Sequence, residues 1–212
     1  TNGADWSYQD TGLGENFCGV ACGNGKFVVV AAGGFAATSP DGAAWTEVDT
    51  GISGDFSKVR FLNNQFVAVG SSGLIATSPD GNTWTERVTG SSGTLEDVTY
   101  GNGLYVAAGW PNSTILVSED AISWTNTPTG TSAYLSGATF GNGKFAVCGT
   151  GGTVLTSTNG TDWSSMVTGV SYTFSCITYA DNVFVAAGSS GKTLYSPDGV
   201  SWTLLSTGMG TW

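Results

Sequence analysis

The sequence has no histidine, and it has only six basic residues: Lys26, Lys58, Arg60, Arg87, Lys144 and Lys192. Without histidine there is no ordinary serine or cysteine triad and no imidazole to hold a metal, so neither a metal site nor a cofactor is expected. Sixteen acidic residues bring the formal charge to −10, the wrong sign for a phosphate backbone or an anionic membrane surface. Nucleic acid is therefore not expected as a partner. No apolar run approaches the ~18 residues of a membrane span, and the start of the chain lacks a charged segment followed by an apolar one. Membrane insertion is not expected, and a longer parent chain stays open. Cysteine is scarce too. Cys18 and Cys22 fall in one predicted strand, and with Cys148 and Cys176 they show no metal-like pairing of short spacings. An even count allows one disulfide, but the expected role is that of small apolar strand residues.

What is abundant is glycine, 33 residues, beside 40% hydrophobic and 12% aromatic content, enough for a packed interior. The tryptophans at 6, 45, 84, 124, 163 and 202 are spaced by 39, 39, 40, 39 and 39 residues. Each ends a version of Ser78-Pro-Asp-Gly-Asn-Thr-Trp84, and the copies begin at Ser39, Ser78, Ser118, Ser157 and Ser196, with a clipped form at residues 1–6. Regularity over a whole chain means a repeat architecture.

Within a repeat, four short β-rich runs, a to d, are separated by Gly, Asn and Ser turns, the pattern of antiparallel strands joined by tight hairpins. The a–b turns, such as Gly23-Asn24-Gly25, suit positive φ; no helix follows them, so they are not phosphate loops. A four-stranded unit recurring every ~40 residues buries its faces by radial stacking, which predicts an all-β, single-domain β-propeller. Five repeats are expected at 13–51, 52–90, 91–130, 131–169 and 170–208, with no helix. Residues 1–12 add a surplus d strand that competes with Trp202 to Ser206 to close the last blade. A closed five-bladed ring is the expected form; part of a six-bladed or larger array is the alternative.

The repeated turn resembles the Asp-box, or bacterial neuraminidase repeat, of sialidases, lectin-like propellers and photosystem assembly-factor-like propellers. The resemblance covers nearly the whole chain. It departs from the family in having Asp and Gly adjacent, in Ala121 replacing Gly in the third copy, and in Asn159 replacing Asp in the fourth. It implies that Ser39, Asp41, Trp45, Ser78, Asp80, Trp84, Ser118, Asp120, Trp124, Ser157, Asn159, Trp163, Ser196, Asp198 and Trp202 are a folding device remote from the ligand face. Turn chemistry agrees, since Ser and Asp can cap backbone N–H groups while each tryptophan packs between sheets.

Catalysis finds little support. The sialidase members of the family need three arginines, and Arg60 and Arg87 are too few and too far apart. The best carboxylate pair, Glu96 and Asp97, points to opposite faces of its strand, with Asp55 and Glu15 on neighbouring loops. Positions that break the rhythm carry more information. Trp110, in Gly109-Trp-Pro-Asn-Ser113, stands in the loop with the single inserted residue; Tyr134 and Tyr172 occupy d–a loops, and Trp212 closes the chain. Such rings beside Asn112 either seal loops or a subunit contact, or stack on sugars. The expected function is non-catalytic glycan recognition at an extracellular, virion or cell surface. An assembly or attachment module, self-associating through the surplus strand or binding a protein surface, is second, and a glycoside hydrolase third.

Overall fold

A computed structural model describes residues 11–206, and these form five four-stranded antiparallel sheets, each with its strands in the order a-b-c-d. The fold is a β-propeller of five blades. Strands a are Phe17–Gly23, Phe56–Leu62, Thr94–Gly101, Leu135–Gly141 and Phe174–Ala180. Blade 2 continues through Gln65–Gly70 and Ile75–Ser78 to Thr85–Arg87. The expectation of no helix needs one correction: three-residue 3₁₀ turns at Ala32–Gly34, Ser71–Gly73, Thr150–Gly152 and Ser189–Gly191 fill the b–c connections of blades 1, 2, 4 and 5.

The Ser-x-Asp-Gly turn works as a local cap. In blade 2 the Gly81 N–H donates to Ser78 Oγ at 2.8 Å, and the N–H groups of Asn82 and Thr83 both donate to Asp80 Oδ1 at 2.8 Å. Gly81 has φ 75°, and its carbonyl accepts the Trp84 indole N–H at 3.1 Å. Asn159 supplies the same carbonyl acceptor to Thr161 and Asp162, so an uncharged side chain serves equally well as geometry. In blade 3, where Ala121 takes φ 59°, the buried Trp124 indole N–H has no partner. Backbone N–H donors hold the Asp41, Asp80 and Asp120 carboxyls below the ordinary carboxylate range, and they bring Asp198 down to about 2.

Blades pack through two unlike faces. The side of a blade turned to its successor, its forward face, is built of small and branched residues: Val28, Val30 and Ala36 in blade 1, Val67, Val69 and Ile75 in blade 2. The backward face is larger and aromatic: Phe56, Val59, Phe66 and Trp84 in blade 2, Leu95, Val98, Tyr105 and Trp124 in blade 3. Close approach is needed where strand a ends. Side chains at Gly23, Gly101 and Gly141 would run into the rings of Phe61, Phe140 and Tyr179 of the next blade. At ~25 cal/mol per Å² of apolar surface these interfaces are the main source of stability. Polar ties reinforce them: Asn24 donates to the Pro79 carbonyl at 2.8 Å, Gln65 to the Tyr105 hydroxyl at 2.8 Å, and Lys144 to the Asp198 carbonyl at 2.7 Å. Lys144 is therefore a blade-to-blade tie.

The expected closed ring is not what this packing gives. Among the described residues four apolar cores join blades 1–2, 2–3, 3–4 and 4–5, and none joins blade 5 to blade 1. The described blades make an open arc, since closure requires a forward face to meet a backward face at every seam. Of the surplus strand expected over residues 1–12, residues 1–10 fall outside the described residues; its competitor is described, and Thr203–Ser206 forms the d strand of blade 5. All four cysteines carry free thiols. Cys148 is buried in the blade 4–5 core, where burial pushes its thiol pKa up, whereas Cys18, Cys22 and Cys176 are exposed on the end blades.

Candidate functional site

The a–b and c–d turns share one end of the arc, and the b–c and d–a loops share the other, where the repeats differ most. Blade 3 departs furthest. Its strand b runs on through Trp110, and its b–c loop has no 3₁₀ turn and carries two consecutive residues at positive φ, Asn112 and Ser113. The buried Ser113 hydroxyl donates to the Ala133 carbonyl at 2.6 Å, and Thr114 Oγ1 donates to the Pro111 carbonyl at 2.8 Å. The first of these bonds fixes the blade 3 loop against the residue preceding Tyr134. Tyr134 is held from the other side by blade 4: its N–H donates to Thr150 Oγ1 at 3.1 Å, and its carbonyl accepts the Thr150 N–H at 2.9 Å.

The result is a stacked pair. The Trp110 and Tyr134 rings lie 5.2 Å apart, centroid to centroid, at 22°. The indole N–H donates to Glu96 Oε1 at 2.7 Å, which locks Trp110, while Tyr134 stays 50% exposed and presents its outer face to solvent. Beside the pair, across the Pro111–Thr114 loop, an open cleft of about 320 Å³ is lined by Gly90 to Gly93, Asn112 and Asn126 to Thr129. Blade 2 forms a similar cleft of about 500 Å³ between Ser53–Asp55, Ser71–Leu74 and Glu86–Ser91.

Of the five residues picked out by broken rhythm, the structure brings together Trp110, Asn112 and Tyr134. Tyr172 lies elsewhere: it packs half-buried on the blade 4–5 core, with Lys192 Nζ 5.6 Å from its ring centroid. Trp212 lies outside the described residues. The part of Glu96 was not foreseen, although the register of strands a and b, pairing Thr94 with Trp110, places it within reach.

Glu96 and Asp97 diverge as alternation requires. Asp97 turns inward and takes a bidentate pair of bonds from Arg60, Nε to Oδ1 at 2.9 Å and Nη2 to Oδ2 at 2.7 Å. Its oxygens also accept the Val98 N–H at 2.9 Å and the Ala138 N–H at 3.2 Å, so one buried carboxylate staples blades 2, 3 and 4. Arg87, on an outer strand, donates to Thr77 Oγ1 instead. The two arginines do not converge. Among the described residues no three His, Cys, Asp or Glu side chains gather as metal ligands, and no helix is long and apolar enough to cross a membrane.

No family model matches the sequence, and neither does any curated protein. Solved structures do match in shape. A YCF48 bound to a D1 peptide aligns over 90% of this chain and 66% of its own, with TM-score 0.70 and 21% identity. YCF48 from Cyanidioschyzon merolae aligns over 90% and 72%, with TM-score 0.67 and 19% identity. The WD40 β-propeller domain of Doa1 aligns over 93% and 71%, with TM-score 0.67 and 15% identity. At these identities the likeness is one of fold, and this chain spans about two thirds of the length of those it matches.

Proposed function

We propose that this chain is a non-catalytic binding propeller of the Asp-box type, working at an extracellular or surface location, whose b–c and d–a loop face takes a glycan. The observation that carries the reading is the Trp110–Tyr134 stack. Its inner ring is clamped by Glu96, and its outer ring is left half exposed on a rigid footing. A platform of that kind offers a flat apolar surface to the C–H face of a sugar at little entropic cost, with the exposed Asn112 nearby to bond hydroxyls. The carboxylates near it are already engaged, Glu96 by an indole and Asp97 by a guanidinium, which supports binding over hydrolysis.

A glycan array with the wild type and Tyr134→Ala tests this. The expected result is a defined set of glycans bound by the wild type and weakened at least tenfold in the variant, with an unchanged melting midpoint. No glycan bound by either protein overturns the reading. A second reading has its own support: a solved structure of similar fold holds a peptide, and the clefts beside the loops are open enough for an extended segment. Binding to a peptide array in place of the glycan array would favour it.

A further inference from the structure

The two ends of the arc retain the surfaces of an interface. Val20 of blade 1 holds the position of Val59 and Val98, which are fully buried, yet it is 62% exposed. Around it the blade 1 backward face has the residue types used by packed blades, with Phe17, Phe27 and Trp45 at the positions of Phe56, Phe66 and Trp84. At the other end, blade 5 turns outward Val185, Tyr195 and Leu205, the last 48% exposed, in register with Val67, Thr77 and Arg87. A repeat array that ends in solvent needs polar outer faces on its terminal units. These faces carry exposed apolar side chains instead, interspersed with Thr178, Thr193 and Thr203 on blade 5 and with Glu47 on blade 1.

The faces also complement each other in size. Packed seams set a glycine against an aromatic ring, Gly101 against Phe140 and Gly141 against Tyr179; at the free ends the corresponding residues are Ala180 and Cys22, a larger seat for a smaller side chain. None of Val20, Cys22, Cys176, Ala180, Val185, Tyr195 and Leu205 carries a charge, so copies of a chain of charge −10 could meet here without burying like charges. The chain's own ends cannot serve each other. Among the described residues no apolar core joins blade 5 to blade 1, and Val20 stays 62% exposed with blade 5 in place.

We propose that the forward face of blade 5 receives the backward face of blade 1 from a second copy, head to tail, reproducing the seam found four times within the chain. A contact of this kind leaves one free face at each end, so association continues beyond the dimer.

Sedimentation velocity on the full chain tests this, using wild type, Val20→Asp and Leu205→Glu. Both substituted residues are exposed in the isolated chain, and melting midpoints equal to wild type at the lowest concentration, where all three proteins are monomeric, confirm intact folds. Wild type is expected to form dimers and longer species as concentration rises from micromolar towards millimolar. Each variant alone should stay monomeric, because it has lost one of the two faces. Their equimolar mixture should form dimers and nothing larger. In the wild type, maleimide labelling of Cys22 and Cys176 should slow at least tenfold as the oligomer forms. A wild type monomeric throughout overturns the proposal, and so do variants that self-associate as the wild type does, since the contact would then lie elsewhere.

Discussion

Blades 1 and 2 have nearly the same backward face and put it to different use. Val59 is wholly buried and Val20 mostly exposed; Phe66 is wholly buried and Phe27 only partly; Trp84 is buried and Trp45 half-buried. The residues match, and the neighbours do not. Burial in this fold is a property of the seam, and stability is accordingly a sum over adjacent blades.

The sharpest way to break this comparison is at the tryptophans. Trp84→Ala is expected to lower the unfolding free energy by about 3–5 kcal/mol, the usual range for a large buried ring, and Trp45→Ala by about 1–2 kcal/mol because less is buried. Urea titration at micromolar protein measures both, and equal losses would show that the seam does not decide. Next in size is the staple at the middle of the arc. Asp97→Ala strands a part-exposed Arg60 and leaves the Val98 and Ala138 N–H groups unmet, at an expected cost of about 2–4 kcal/mol. Asp55 caps Gly33 across the blade 1–2 seam from an exposed position, so Asp55→Ala should cost about 0.5–1 kcal/mol in the same titration.

The smallest effect separates blade 4 from the rest by acidity. Carboxyls whose folded pKa is lowered favour the fold when ionised, so their contribution is full above the unfolded value near 4. It is lost as pH falls towards the folded value, about 2 for Asp198. Denaturation midpoints should fall across that acid window. Replacing Asp41, Asp80, Asp120 and Asp198 together with Asn should flatten the fall and lower stability near neutral pH by the share that ionisation contributes, while the caps still form, as Asn159 does in blade 4 without a charge.

Periodicity made the blades legible because every seam demands the same residues at the same offsets; turn chemistry made the caps legible because Ser, Asp and Gly act within three residues of each other. Trp110 and Tyr134 were visible as breaks in the rhythm. Glu96 was not, because its bond to the indole depends on hairpin register, and neither was the tie of Asp97 to Arg60 and Ala138, which joins residues about forty positions apart. The open arc was hidden for a different reason. A repeat reports what each blade offers to its neighbours, and the number of blades per turn is set by the angle between sheets, which no single repeat records.

The unlike forward and backward faces also give the fold a direction in time. Synthesis proceeds from the N-terminus, so each forward face is complete before the aromatic face that will cover it leaves the ribosome. Every new blade thus finds a finished template one repeat behind it, and the chain can add blades in order without waiting for distant segments to meet. The carboxylate of Asp97 becomes fully bonded only once Ala138 has emerged, so a nascent chain reaching blade 4 is the first in which a single side chain ties three blades.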